Sequence, residues 1–310
     1  MHPSMSIIIP ARDAAKTLPK LLQSLNAQIR PDGWQVEIIG VYTESEDATL
    51  DVLKAAGVRI VTCPRPGPSA ARNIGAGAAQ GAVLYFLDAD ACPVGDRFFL
   101  NIAEMAERHG RFSAFGGPIL LDPGQRRNPI AVGDHIACWY IWHEKRTAGP
   151  IDFQPTANFG ITRRLFVRLG GFNEKLTVLE DFDLQVRLRQ MRRQIISDPR
   201  LAITHRARGG LFRSWRHSWH WGLPVRDSFY KRIGRTRYPY LDRPDLFWVN
   251  LPRIFFDRTK IVWRIYRRVS PRQLWFSLPF LLATIFAWSL GVSFGRGQPK
   301  PKPLPAQAAR

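Results

Sequence analysis

Val83-Leu-Tyr-Phe-Leu-Asp-Ala-Asp-Ala-Cys-Pro93 is the stretch on which the fold of this chain turns. Five apolar residues run into two carboxylates, Asp88 and Asp90, and a proline then ends the element. A run that is apolar on both faces reads as a buried parallel strand, and the carboxyl ends of such strands are where open α/β sheets take their ligands. In a regular strand, residues two apart point the same way, so Asp88 and Asp90 are expected to share a face. Like charges held together repel unless a cation joins them, and oxygen donors of this kind suit Mg2+ or Mn2+. A lone Asp-x-Asp at a strand end is otherwise simply solvated, so the flanking sequence decides.

Upstream, Ser6-Ile-Ile-Ile-Pro10 is a β-branched strand closed by proline, followed by a loop at Ala11-Arg-Asp13. Leucines at 18, 21, 22 and 25 predict a helix over 14–28. Strands are expected at 36–41 and 58–61, with a helix over 48–56 between them. A Pro/Gly loop over 64–68 precedes the small-residue helix 69–79 and then the strand 83–87. Alternating strands and helices with short connections give a doubly wound α/β sheet. The first strand is not followed by G-x-G-x-x-G, which argues against a dinucleotide-dependent dehydrogenase.

Charge is distributed unevenly. The 310 residues carry 45 Lys and Arg against 25 Asp and Glu, a formal +20. From Leu201 onward there are 21 basic and 4 acidic residues, so +17 of that charge sits in the last third. This part is also rich in Trp, Phe and Tyr, which suits an anionic membrane surface better than a simple solubility tail, with nucleic acid the competing explanation of the excess charge. Cys63, Cys92 and Cys138 show neither metal-type spacing nor a disulfide framework, and they fit a reducing compartment. The apolar run near the N-terminus is too short for a signal peptide.

Further motifs follow in order: Ala71-Arg-Asn73, Phe86-Leu-Asp-Ala-Asp90, Ala157-Asn-Phe-Gly-Ile-Thr-Arg-Arg164, Gly170-Gly-Phe-Asn173, Glu180-Asp-Phe-Asp-Leu184 with Arg187, and Ile203-Thr-His205. In this order and spacing, over about residues 5 to 206, they resemble the family 2 glycosyltransferases with the GT-A fold. The resemblance implies a GT-A-type doubly wound mixed sheet, with a nucleotide-binding half and an acceptor half. It implies an inverting transfer of a sugar from a nucleotide-sugar donor to a hydroxyl.

The same resemblance distributes roles. Asp90 is the expected direct metal ligand, with Asp88 nearer the ribose and His205 completing the metal or diphosphate site. A strand-end histidine satisfied by backbone is the alternative for His205. Pro10, Arg12 and Asp13 line the loop where the nucleotide base is expected, and Arg72 matches a position near the base. A solvated helix face is the other reading of Arg72. Asn158 is expected to face the donor sugar. Asp181 matches the catalytic base that takes the acceptor's proton. Glu180, Gly171 and Arg187 fall on the acceptor side, although an ion pair to Asp183 would equally account for Arg187. Relatives carry aspartates directly after the second strand, where this chain has Tyr42 and Thr43. Glu44, Asp47 or a stacking Tyr42 are the substitutes at hand.

Beyond His205, Phe212 to Gly222 is aromatic and basic and reads as a helix across the acceptor cleft, near the membrane. Residues 246–268 interleave Trp, Phe and Ile with Arg, the composition of an interfacial helix. Leu274 to Phe294 contains no charge over 21 residues, long enough to cross a bilayer or to re-enter it. The sequence therefore suggests a catalytic domain over 1–210, a basic-aromatic helical region over 211–272, an apolar helix over 273–294 and a disordered basic tail over 295–310. The expected enzyme sits at the inner, cytoplasmic membrane with its catalytic domain on the cytoplasmic side. Its partners would be a nucleotide-sugar donor, a lipid or lipid-linked acceptor and an anionic membrane surface, not nucleic acid. A membrane-anchored, non-catalytic glycosyltransferase-like binding protein is the alternative. A sugar-phosphate nucleotidyltransferase is disfavoured, because Pro10-Ala-Arg-Asp13 is not a Gly-rich phosphate loop.

Overall fold

The computed structural model describes residues 3–65, 67–109, 113–225 and 247–295. Among these, the chain forms two compact units. The first runs to Pro118 and resumes over Arg146–Thr204; the second comprises Ile119–Lys145 and the chain from His205 onward. A boundary at 210 is therefore corrected in two ways. It moves to 204/205, inside a strand, and residues 119–145 join the C-terminal helices. The basic-aromatic segment and the apolar helix belong to one unit rather than to separate domains. The expected disordered tail over 295–310, apart from Gly295, and residues 226–246 of the basic region lie outside the described residues.

The first unit is built on an eight-stranded sheet. Its strands are β1 (Ser4–Ala11), β2 (Gln35–Thr43), β3 (Arg59–Cys63), β4 (Val83–Leu87), β6 (Ser113–Gly116), β8 (Gly149–Ile151), β9 (Asn158–Thr162) and β10 (Gln194–Ser197). The order is β3-β2-β1-β4-β9-β6-β10-β8. β1 to β4 are mutually parallel, whereas β9 runs antiparallel to both β4 and β6. The expected parallel strand β4 is thus parallel on one edge only, which makes the sheet mixed. All five residues of β4 are buried. A strand covered on both faces has no polar position to offer, which explains its unbroken apolar run.

Helices α1 (Leu18–Asn26), α2 (Thr49–Ala55), α3 (Pro68–Ala78), α4 (Phe98–His109), α6 (Arg163–Arg168) and α7 (Glu180–Gln190) complete this unit. α1 is shorter than the leucine spacing predicts. Pro19 lacks an amide proton and is tolerated only in a first turn, so the helix begins at Leu18 instead of Ala14. α3 is rich in small residues because it lies hard against the sheet. A Cβ on Gly75 would come within 2.6 Å of an Ile8 methyl and 2.7 Å of a Val41 methyl. Below β4, Phe86 packs against Phe166 and Phe172 with ring centroids 5.5 and 5.2 Å apart.

The second unit holds β7 (Ile119–Leu121), α5 (Pro129–Trp139), α8 (Leu211–Gly222), α9 (Phe247–Val269) and α10 (Pro271–Phe294). Ala131, Ile136, Val262, Tyr266, Leu281 and Ile285 form its apolar centre. One polar knot is buried there. Asp134 accepts hydrogen bonds from Ser214 Oγ at 2.6 Å and from the Arg208 amide at 3.1 Å, and Ser214 meets Thr284 Oγ1 at 3.1 Å. The Arg258 guanidinium stacks on Trp288, 3.9 Å from the ring centroid, and donates to the Ala137 carbonyl at 2.8 Å. α10 is the one described helix long and apolar enough to cross a membrane by composition, yet it packs against α5, α8 and α9 within this unit.

Candidate active site

The chain leaves β4 at Leu87 and turns at once, the Ala91 amide donating to the Asp88 carbonyl at 3.0 Å. Ala91–Pro93 then forms the short strand β5. Asp88 and Asp90 therefore stand in a turn between two strands. The expected alternation along a continuous strand does not apply to them, and Pro93 closes β5, not β4. Their location at the carboxyl end of the central strand is as expected.

Arg72 organises what surrounds them. It lies in the middle of α3, and its side chain is 5% exposed. One guanidinium nitrogen donates to Asp88 Oδ1 at 2.8 Å, and the other donates to Glu180 Oε1 at 2.6 Å. This is not a solvated helix face. The planar fork of arginine can serve two separate carboxylates at once, which a lysine ammonium does far less well. Asp88 after β4 and Glu180 of α7 are thereby joined through one buried cation.

α7 opens with Glu180, Asp181 and Asp183 in its first turn. Leu179 precedes them in the left-handed region at φ 66°, an uncommon state for a bulky side chain. Asp181 is half-buried, and its Oδ1 accepts its neighbour's amide, Phe182 N–H, at 2.7 Å. Burial, and then the adjacent charge of Glu180, push the Asp181 carboxyl up to about 7, against the attraction of Arg72. Burial also raises Glu180, with Arg72 opposing it. A carboxylate poised near neutrality is suited to accept a proton from an alcohol.

The supporting contacts are local and polar. Gln154 and Gln185 clasp each other, Gln185 Oε1 accepting the Gln154 amide at 2.8 Å and Gln185 Nε2 donating to the Gln154 carbonyl at 2.6 Å. Asn73, next to Arg72, bonds both backbone groups of Phe172 at 2.8 and 2.9 Å. Gly170 and Gly171 have φ of 77° and 68°, and a Cβ on Gly171 would lie 2.8 Å from Asn73 Oδ1. Arg187 pairs with Asp183 at 2.7 Å and donates to the carbonyls of Gly171, at 2.8 Å, and Leu169. Of its two readings, the ion pair is the one visible.

Asn158 is wholly buried. Its amide accepts from the Tyr85 hydroxyl at 2.6 Å and donates to the carbonyls of Leu201, at 2.8 Å, and Gly117, at 3.1 Å. It ties β4 to the backbone just beyond β6 and at Leu201 from inside, instead of presenting itself to a donor sugar. Pro10 ends β1 beside Ala11, and Arg12 and Asp13 follow, with Asp13 exposed at φ 50°. Asp13 accepts the Glu46 amide at 3.0 Å, and its own amide donates to Ser45 Oγ at 3.1 Å. The loops after β1 and β2 are thus laced together. Asp47 bonds the amides of Thr49 and Ala15, each at 3.0 Å, so its carboxylate is engaged in that lacing. Thr43 is buried, while the Tyr42 hydroxyl accepts the Ser45 amide at 3.3 Å. His205 ends the strand β11 (Ile203–His205) and is buried in the second unit, edge-on to Trp139 with centroids 5.2 Å apart. Its carbonyl accepts the Asp122 amide at 3.0 Å.

The Gln154–Gln185 clasp, the Asn73 clamp and the left-handed Leu179 were not foreseen. Glutamine pairs carry no spacing signature, and a backbone conformation at leucine leaves none either. Asn73 lies within Ala71-Arg-Asn73, but only the fold reveals that its partner is Phe172.

Comparison with known proteins agrees with this geometry. Residues 6–169 match the family described as Glycosyl transferase family 2. The chain is 35% identical over 94 residues to a 4,4'-diaponeurosporenoate glycosyltransferase of Staphylococcus haemolyticus, covering 28% of this chain and 24% of that protein. It is 33% identical over 124 residues to the succinoglycan biosynthesis protein ExoO of Rhizobium meliloti, covering 39% and 33%. These matches span between a quarter and a third of the relatives' length. Among solved structures, the mannosyltransferase PcManGT of Pyrobaculum calidifontis, in complex with GDP-Man and Mn2+, aligns with a TM-score of 0.57 at 18% identity, over 94% of this chain and 87% of that one. Staphylococcal (S. aureus) TarS 1-349 with UDP-GlcNAc aligns at 0.51 and 15% identity, over 93% and 90%. At such identities the likeness is one of fold, and that fold is GT-A.

Proposed function

The chain belongs to glycosyl transferase family 2, and from that premise we propose that its first unit transfers a sugar from a nucleotide-sugar donor to a hydroxyl by a single displacement with inversion. The observation that carries this reading is Arg72, whose guanidinium holds Asp88 at one end and Glu180 at the other. These two contacts support reading the Glu180-Asp181 pair and the strand-end acids as one site. Asp181 takes the proton of the acceptor hydroxyl as its oxygen attacks the anomeric carbon. Its raised pKa gives it enough basicity for that step and leaves it ionised at slightly alkaline pH. Arg72 compensates the negative charge collected around Asp88, Glu180 and Asp181.

A divalent ion fits the donor set that we assign to it. Asp88 and Asp90 supply carboxylate oxygens, a donor type that suits Mn2+ or Mg2+, and the family resemblance adds the imidazole of His205. When bound, such an ion neutralises the diphosphate leaving group. Pro10, Arg12 and Asp13 border the proposed nucleotide pocket. With Asp47 engaged elsewhere, Tyr42 and Glu44 are the groups left to meet the base. Glu180, Gly171 and Arg187 shape the acceptor side, the last through the backbone it fixes.

We assign the acceptor to the lipid or lipid-linked class, met at the cytoplasmic membrane face. The apolar helix α10 and the +17 charge of the last third support this assignment. The test is donor turnover: nucleoside diphosphate release from UDP- and GDP-sugars, with Mn2+ and with EDTA, for wild type and Asp181→Asn. Release that is metal-dependent and lost in the variant supports transfer. No donor turnover with any nucleotide sugar, despite nucleotide binding, would favour the non-catalytic reading.

A further inference from the structure

The last helices are turned inside out in one respect. α10 buries Ser277, Thr284, Ser289 and Gly291 beside Leu281 and Ile285, while Trp275, Phe276, Phe286 and Phe294 are exposed. A helix of a water-soluble domain does the reverse, placing its polar side outward. The buried hydroxyls are satisfied within the helix, Ser277, Thr284 and Ser289 each donating to the carbonyl four residues earlier at 2.8 Å.

The exposed aromatics are continuous with those of the neighbouring helices. Trp215 of α8 meets Phe286, and Phe286 meets Phe255 of α9, with centroids 6.5 and 6.0 Å apart. Phe294 meets both Trp219 and Phe247, at 5.4 and 4.6 Å, and Phe247 touches Trp248, which is 80% exposed. Trp263 meets Trp275 at 5.3 Å. Beside these rings α9 exposes Arg253, Lys260, Arg264, Arg267 and Arg268, and its only acid is Asp257.

We propose that this face of the second unit rests in a single leaflet of an anionic bilayer, with α10 lying along the interface instead of crossing it. The proposal builds on the lipid-acceptor reading and states how the bilayer is met. Aromatic rings favour the boundary between head groups and acyl chains, and guanidinium groups beside them meet lipid phosphates. Crossing is disfavoured by the company α10 keeps. The backbones of α8 and α10 approach closely where Gly222 faces Gly291, and α8 carries Arg213 and Arg216 while α9 is basic along much of its length. A spanning α10 would carry those charges into hydrocarbon with it.

The experiment uses the full chain bearing a C-terminal tag. Flotation with phosphatidylcholine vesicles, with and without phosphatidylglycerol, should show binding only to the anionic ones, weakening as salt rises. Trp248→Ala and Phe256→Ala should each weaken binding by roughly tenfold, in line with the apolar area lost. Arg264→Glu with Arg267→Glu should remove the preference for phosphatidylglycerol. In sealed vesicles carrying externally bound protein, protease should remove both the catalytic unit and the tag. A tag protected inside the vesicle would overturn the proposal in favour of a span. Indifference to phosphatidylglycerol would overturn it, and so would a stable dimer that protects Trp248, which would assign the face to a second copy. Donor turnover in solution should survive in the Trp248 and Phe256 variants. Its absence from wild type would instead count against the transferase reading and leave vesicle binding standing.

Discussion

Arg72 and Glu180, 108 residues apart in the chain, meet at 2.6 Å, with side chains 5% and 9% exposed. Removing one member of a buried pair leaves the other charge without compensation. Arg72→Met should therefore destabilise the protein by about 3–5 kcal/mol, measured by denaturant unfolding. Arg72→Lys retains the charge but loses the fork between Asp88 and Glu180, and should fall between wild type and Arg72→Met. Wild-type stability in Arg72→Met would show that the pair contributes nothing net.

Asp181→Asn keeps the shape of the side chain and removes its basicity. Turnover should fall by roughly 10²–10⁴-fold while donor binding changes little. Calorimetric titration of a nucleotide sugar beside a steady-state assay separates the two effects. Near-normal turnover would move the proton to another residue.

The Asp181 carboxyl, raised to about 7, also sets a pH dependence. Transfer should rise with pH along a single limb centred near 7 and then level off. Stability should move the opposite way. The folded form holds this proton more tightly than the unfolded chain, whose aspartate titrates near 3.8. The stabilising contribution is therefore full below the unfolded value and is lost as pH rises through about 7. The advantage of Asp181→Asn over wild type in unfolding experiments should therefore grow from pH 5 to pH 8. A difference unchanged between pH 5 and pH 8 would contradict the raised value.

Asp90→Asn should abolish the strengthening of nucleoside diphosphate binding by Mn2+ and leave the metal-free affinity unchanged. Binding that is equally tight in EDTA, for wild type as for the variant, would remove the pair from any metal role.

Gly171→Ala meets two obstacles, a φ of 68° and Asn73 Oδ1 at 2.8 Å from the new methyl group. The loss should exceed the roughly 1 kcal/mol typical of alanine at positive φ, because the Asn73 clamp on Phe172 has to shift as well. Unfolding midpoints of Gly171→Ala and Gly170→Ala make the comparison, since a Cβ on Gly170 meets no neighbour within 4 Å.

The alternation of strands and helices was legible because each apolar run reports burial over a few neighbouring residues. Val83–Leu87 is the clearest case, and its boundaries match the structure. What local pattern does not contain is partnership across distance. Nothing around Arg72 indicates that its ligands are Asp88 and Glu180, and Asn158 looks available until Tyr85, Gly117 and Leu201 are seen to take its amide. The Asp-Ala-Asp geometry differed because the chain turns immediately after Leu87, which an apolar-then-acidic run does not reveal. Residues 119–145 were assigned to the catalytic domain by proximity in sequence, whereas Asp134 finds its partners at Arg208 and Ser214.

The interleaving of the two units has a consequence during synthesis. A ribosome releases residues 119–145 long before α8 and α10, so the segment bearing Asp134, Ile136 and Ala137 emerges with neither its polar nor its apolar partners yet made. The sheet of the first unit closes earlier, once β9 and β10 have left the exit tunnel. For an interval the nascent chain thus consists of a completed sheet interrupted by an unsheltered helix. That helix is where a chaperone would first take hold, and a translational stall before α10 would leave it there.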